Sequence, residues 1–339
     1  MKIKNSHLRN ILIFFHIVFA VIGFYAFISN YKLSENLLIQ KTLAKQEIVA
    51  KAGSSSVENL IKSVQNQLDS FLFSFTQVPE NAPIDENITR KQFDSYMQRV
   101  QLPVNGIAVY DEKGKLKILA NRQHIQKGEG EDFSQTEFIK WSKNPSNKDK
   151  VYISTPYIGT TGASIGKTII LVEEPIYFGN TYKGTIAIKL LVDEFRSSFI
   201  DSLSTDTSEE SFVINNSGIV LAGNSSLLNQ NIFTYARKSK WKGYEDFVQK
   251  LNRGLKSQIK VAQWIFKNSN DKEKLQLAGI SRIDIPNTNN DLYMIVETSE
   301  ESILNSLSPL KIYGLAWLGF GVLTTAIGGF IVMLLRNPD

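Results

Sequence analysis

The chain of 339 residues has no cysteine and only three histidines. The first absence excludes disulfides, thiolate metal ligands and cysteine nucleophiles, and it suits a bacterial extracytoplasmic domain that avoids stray thiols. The histidines, His7, His16 and His124, are too dispersed for a metal site, and none is placed to act as base to a serine. A Gly-x-Ser-x-Gly elbow is missing as well. Neither sign of charge dominates: the net charge is a mild +5. The basic residues are scattered rather than gathered in a stripe, so the chain carries no nucleic-acid footprint.

Two further patterns lead nowhere chemically. Residues 159–168, GTTGASIGKT, superficially suggest a phosphate loop, but Thr161 stands where that motif needs its first glycine. The segment also leads into a strand, so no helix N-terminus would face a phosphate. The pairs Glu173-Glu174 and Glu209-Glu210 read as solvated faces or turn charges rather than acid-base dyads. No catalytic group, cofactor or metal is expected, which argues against an enzyme.

What the sequence does contain begins with two apolar runs. Ile11 to Ile28, with only His16 strongly polar, and Ile312 to Leu335, bounded by Lys311 and Arg336, are each long enough to cross a bilayer. The segment FYAFISN offers no small-x-small cleavage site and a helical pattern continues out of it, so the first run reads as an uncleaved anchor. Lys2, Lys4, Arg9 and Arg336 favour both ends in the cytoplasm, with residues from about 30 to 310 outside. Gly321, Thr325 and Gly329 form a small-xxx-small ridge that suits close helix approach, or reflect the ordinary glycine content of membrane helices. His16 reads as a packing group facing a neighbour rather than a proton relay.

Between the runs, Tyr31 to Phe75 carries Leu37, Leu38, Ile48, Val49, Val57, Leu60, Ile61, Val64, Leu68 and Phe71 at helical spacing. One long stalk helix is expected, with a kink or close helix contact at Ala52–Ser56. Val78 to Thr89 is a loop and Arg90 to Val100 a short helix. Gly106–Tyr110 and Lys115–Ala120 make a hairpin, and Ser134–Lys143 a helix. Val151–Tyr157, Lys167–Tyr177 and Tyr182–Val192 read as three neighbouring strands; the last two join through Phe178, Gly179 and Asn180, and Val192–Leu203 leaves as a helix. On the third strand Ile186, Ile188 and Leu190 share one face and Ala187, Lys189 and Leu191 the other, both apparently covered.

After the polar stretch Ser204–Glu210 the pattern partly repeats. Ser211–Asn215 and Ile219–Ala222 are strands and Leu227–Phe233 a loop. Tyr244–Lys256 is a helix, and Ile259–Lys267, Lys274–Asp284 and Leu292–Thr298 are strands. Ser299–Leu310 is a helix running into the second span. The expectation is an α+β chain with two five-stranded modules on a common helical stalk.

GIAVYDEKGKLKILA, VYISTPY, EEPIYFGNTYKGTIAIKLLVDEF and SFVINNSGIVLAGNSSLLNQNIF resemble, in that order and spacing, a bacterial double Cache domain. That domain is the PAS-like extracytoplasmic sensor of chemoreceptors and sensor histidine kinases. The resemblance covers about Tyr31 to Leu310 and implies two PAS-like antiparallel-sheet modules flanked by two transmembrane helices. The segments are a cytoplasmic tail at 1–10, a span at 11–29, the stalk at 30–75, a membrane-distal module at 76–203 and a proximal module at 204–310. A second span at 311–335 and a tail at 336–339 complete them. The distal module is the one expected to hold ligand.

Relatives of this kind that bind amino acids carry a Tyr, an Arg two residues before a Trp, a Tyr on the next strand and an Asp on the last strand. Here Trp141 and Tyr157 match the Trp and the strand Tyr, whereas Ile139 replaces the Arg, Ser134 stands near the first Tyr and Lys189 holds the Asp position. The amino-acid ligand is therefore not carried over. Lys189, mid-strand, needs an acceptor. Either an internal Asp or Glu supplies it, or Lys189 with Trp141, Tyr152 and Tyr157 receives a small anion such as a carboxylate.

The function expected is a membrane-anchored small-molecule sensor, homodimeric through the stalk, that signals through its membrane helices to an output domain or a separate signalling protein. A membrane-tethered binding module without signalling is the alternative.

Overall fold

The computed structural model describes residues 5–76, 85–101, 103–203, 209–223, 226–239, 244–256, 261–267 and 273–334. Lys2, Lys4 and Arg336, most of the loop expected at 78–89 and the centre of the polar stretch after Leu203 lie outside these. The chain divides into two compact units, residues 1–42 with 299–339, and residues 43–298.

Helix α1 (Asn5–Thr76) runs for 72 residues without interruption. In the second unit its buried residues Val57, Ile61, Val64, Leu68, Phe71 and Phe75 recur at alternating spacings of four and three, the signature of one apolar face. Each such side chain, fully buried, contributes about 1.5–3 kcal/mol. The small residues at Ala52–Ser56 make no break in the helix. They mark a close contact: a Cβ on Gly53 would lie 3.1 Å from Met294 and 2.5 Å from Leu203, the end of the short helical turn Asp201–Leu203, and Ser54 Oγ hydrogen-bonds Ser281 Oγ at 2.8 Å.

The distal module opens with α2 (Glu86–Arg99), whose first turn is capped by the Asp85 carboxylate accepting from the amides of Asn87 and Ile88. Strands β1 (Val104–Asp111) and β2 (Leu116–Ala120) form a hairpin, with Gly114 at φ +91° in the turn. Helix α3 (Glu137–Ser142) precedes β3 (Tyr152–Ile153), β4 (Tyr157–Ile158), β5 (Thr168–Phe178), β6 (Thr181–Leu191) and α4 (Val192–Phe199). The sheet order is β2-β1-β6-β5-β3, with β4 also paired to β5.

The single strand expected at Val151–Tyr157 is thus two. Ser154 breaks it: its hydroxyl, rather than a main-chain carbonyl, accepts from Leu171 N, and Pro156 has no N–H to continue the ladder.

The proximal module holds β7 (Glu209–Asn215), β8 (Val220–Ala222), α5 (Ile232–Lys238), α6 (Tyr244–Lys256), β9 (Val261–Lys267), β10 (Glu273–Ile283) and β11 (Leu292–Ser299), in the order β8-β7-β11-β10-β9. Helix α5 lies partly where a loop was expected; Asn231 caps it by accepting from Thr234 N. One core runs along α1 beneath both sheets, from Phe71 and Phe93 through Ile188 to Met294 and Val296. At Gly279 of β10 the stalk backbone comes so close that a Cβ would lie 2.1 Å from Gln46 O. Glu209, buried, ties the modules' common helix from the other side by accepting from Lys45 Nζ at 2.5 Å and Gln46 Nε2 at 3.3 Å.

The modules are also joined edge to edge. Val151 forms a parallel bridge with Thr288. Its N donates to Asn287 O at 2.8 Å and its carbonyl accepts from Asn289 N at 3.1 Å. The Asn289 amide then brackets Ile153, accepting from its N at 2.8 Å and donating to its O at 3.2 Å.

In the first unit, α1 begins with its apolar run, and the chain closes with α7 (Glu300–Asn305) and α8 (Ser308–Leu334). The helix expected to run from Ser299 straight into the second span is interrupted by a turn at Ser306–Leu307, just ahead of Pro309. Both apolar helices are long enough to cross a bilayer. They pack antiparallel: Gly314 faces the Phe27 ring and Gly23 faces Trp317, while His16 Nε2 meets Thr324 Oγ1 at 2.9 Å. Lys311 caps this pairing, 5.5 Å above the Tyr31 ring.

Candidate functional site in the distal module

Strand alternation gives the distal sheet two unlike faces. Ile170, Val172, Ile186, Ile188 and Leu190 pack on the side of α1. The other face carries Ala108, Tyr110, Leu171, Ala187 and Leu191, covered by Phe138, Ile139, Trp141, Tyr152 and Tyr157. Two charged side chains share that second face. Glu173 is fully buried and Lys189 is 2% exposed.

Of the four residues read from the sequence, Trp141 and Tyr152 are in ring contact, their centroids 5.2 Å apart. Trp141 is held by α3, and its carbonyl accepts from Asn147 Nδ2 at 2.9 Å. Tyr157, half-buried on β4, belongs to the same aromatic cluster. Burial keeps the phenols of Tyr110, Tyr152, Tyr157 and Tyr182 protonated, and the nearby Glu173 adds to this in all four. Of the four, Tyr152 is the register partner of Glu173 across β3 and β5.

Lys189 sits one step along the sheet from the aromatic cluster, beside Gly106. Its ammonium donates to Thr161 Oγ1. Thr161 is buried at the start of the glycine-containing segment 159–168, which folds over the strand here. Among the described residues Lys189 makes no ion pair; Glu131 acts on it only through the field, offsetting a little of the burial that lowers its pKa to about 8.

Glu173 was missed by sequence reasoning, which took the Glu173-Glu174 pair as solvated. Both are in fact buried. Neighbouring strand residues point to opposite faces, and this sheet is covered on both. Glu173 accepts from Ser142 Oγ at 3.3 Å through one oxygen, while its other oxygen is buried without a partner. Burial drives its pKa well above the carboxylate range. A carboxyl with one unpartnered oxygen, and an ammonium held only by a hydroxyl, can meet a ligand's donor at one point and its acceptor at another.

No family model matches the chain, and no curated protein matches it. Solved structures do. The ligand-binding domain of the Pseudomonas fluorescens chemoreceptor CtaA, in complex with L-isoleucine, superposes with a TM-score of 0.56 at 12% identity, over 81% of this chain and 99% of that one. The periplasmic sensory domain of the Campylobacter jejuni chemoreceptor Tlp1 gives a TM-score of 0.59 at 15% identity, over 79% and 98%.

The fold is that of a chemoreceptor sensor domain.

The extracellular domain of a protein assigned as a histidine kinase has this sensor fold too, with a TM-score of 0.59 at 11% identity over 78% and 97% of the two chains. These solved relatives in fold are receptor sensor domains, not enzymes. In this chain the outer face of the distal sheet buries two ionisable side chains, Glu173 and Lys189. The corresponding outer face of the proximal sheet is filled by Phe212, Ile214, Ile280 and Ile295 against Ala236, Leu251 and Leu255 of α5 and α6.

Proposed function

We propose that the chain is a two-pass membrane sensor whose distal module binds a small molecule carrying both an anionic and a cationic group. The single observation behind this reading is that a buried carboxyl, Glu173, and a buried ammonium, Lys189, lie on one face of the distal sheet without pairing with each other. Burying such groups with one hydroxyl partner apiece is costly, and a ligand that answers both recovers part of that cost. Lys189 takes the carboxylate, Glu173 takes the ammonium, and Trp141, Tyr152 and Tyr157 form the apolar wall. The complex of CtaA with L-isoleucine is an example of a sensor domain of this fold holding a small zwitterion.

On this reading residues from about 30 to 310 face the outside. A homodimer forms along α1, and the membrane helices carry ligand binding to an output domain or a separate signalling protein. Ile48 and Phe73 are exposed apolar residues about seven turns apart on α1, so they lie on one side of the helix, where a second copy would cover them.

A thermal-shift screen of the detergent-solubilised chain against acids, amines, zwitterions and neutral sugars tests the proposal. Zwitterions should stabilise most, with Lys189→Met removing the response to acids and Glu173→Gln the response to amines. Stabilisation by neutral sugars alone, or responses untouched in both variants, would overturn it.

A further inference from the structure

The stalk meets the distal sheet at a second polar place, on the face away from the aromatic cluster. Glu174 of β5 is turned toward α1 and is 6% exposed. Its carboxyl lies close to that of Asp69 on α1, near enough for the two to act on each other. Both line a cavity of about 390 Å³ bounded by the stalk, by residues 148–151 ahead of β3, and by Pro286 and Asn287 of the proximal module.

The other charged groups around it are Lys62 from the stalk and Lys148, Asp149 and Lys150 from the segment before β3; the proximal module contributes none. Lys62 is engaged by Glu58 at 2.6 Å. Among the described residues no cation is ion-paired with Asp69 or Glu174. Two carboxyls in contact without a cation between them cannot both ionise cheaply, and Glu174 is the buried one of the two. Burial in the first place, and Asp69 in the second, raise the Glu174 carboxyl to about 8.

We propose that Asp69 and Glu174 form a proton-operated latch between the stalk helix and the distal sheet, making the proton a second input to this sensor. With the proton in place the two carboxyls share a hydrogen bond and hold α1 to β5. When pH rises the proton leaves, two like charges face each other, and Asp69 moves away toward solvent and the nearby lysines. Asp69 belongs to the same unbroken helix as the first apolar run, so the displacement is made on the element that leads to the membrane. The latch stands apart from the aromatic pocket and does not depend on what that pocket binds.

The chain has no cysteine of its own, so spin labels can be placed at Ser70→Cys on α1 and Lys183→Cys on β6. The full chain in nanodiscs, diluted with unlabelled protein, then reports distances within one molecule. The label-to-label distance should differ between about pH 6 and about pH 9, and should be the same at both in Glu174→Gln and in the exposed-site variant Asp69→Asn. An unchanged distance in the otherwise wild-type chain, or a change that persists in Glu174→Gln, overturns the latch. Lys189→Met should leave the pH response intact, which separates failure of the latch from failure of the pocket.

Melting gives a second readout. A carboxyl raised in the folded state keeps a proton that the unfolded chain releases above its ordinary value of 4.5, so its stabilisation is lost as pH climbs toward about 8. Glu173 titrates in the same direction, so the quantity read is the difference between wild type and Glu174→Gln. That difference should shift against the wild type by on the order of 5 °C from about pH 6 to about pH 8 and then level off. A difference independent of pH also overturns the proposal.

Discussion

Glu173 and Lys189 are diagonal neighbours on one sheet face: Glu173 is paired with Ala187, and Lys189 two residues further along the same strand is paired with Leu171. Lysine and glutamate side chains could span such a step. They do not, since Lys189 turns to Thr161 and Glu173 to Ser142. A buried carboxyl and a buried ammonium on one face therefore each keep bonding capacity that is not spent on the other.

The first prediction follows from the ammonium. Burial lowers the Lys189 pKa to about 8, so its charge is lost as pH rises through that value. Affinity for an acidic ligand should therefore be constant below it and fall about tenfold per pH unit above it. Calorimetry across that range should show this break in wild type and none in Lys189→Met, whose affinity should be more than tenfold weaker at neutral pH.

Gly279 supplies a second. Its missing Cβ is what lets the stalk backbone at Gln46 lie against β10. Gly279→Ala should lower stability by about 1–3 kcal/mol through overpacking. Gly319→Ala, where nothing lies within 4 Å of the added atom, should leave the melting temperature unchanged. Equal effects at both sites would remove the close-approach account.

How much of this was legible in the sequence depended on which physical signal each residue carries. Periodicity revealed the stalk, because Val57 to Phe75 repeat at helical spacing whatever they pack against. Alternation on β6 likewise separated Ile186 and Ile188 from Lys189. It could not reveal that Val151–Tyr157 breaks in two, since the cause is a hydroxyl–amide bond from Ser154 to a residue on another strand. Glu173 was illegible for a related reason: two adjacent carboxylates look solvated until the sheet is known to be covered on both faces. Thr161 was visible only as a mismatch to a phosphate loop, and its role as acceptor for Lys189 exists only in three dimensions.

A third prediction concerns the dimer. Single cysteines at Ile48 and Phe73, both exposed on α1, should form disulfide-linked pairs in membranes, whereas cysteines at the buried Val64 and Leu68 should not. Crosslinking at none of the four would argue for a monomer.

A fourth concerns the join between modules. Asn289→Ala removes both hydrogen bonds to Ile153 and should cost about 1–3 kcal/mol. Hydrogen exchange at Ile153 and Val151 should quicken while exchange at Ile188, in the sheet centre, stays slow. Uniform acceleration would mean that the loop supports the whole fold rather than one edge.

That join bears on how the molecule can be handled. The 287–289 segment acts as a lid on the last strand of the distal sheet, occupying main-chain groups that would otherwise face water. A fragment ending near residue 203 would expose this strand as a template for its own copies and should associate through it. Solubility of the distal half should therefore depend on the proximal half, and the two are best kept as one inseparable piece.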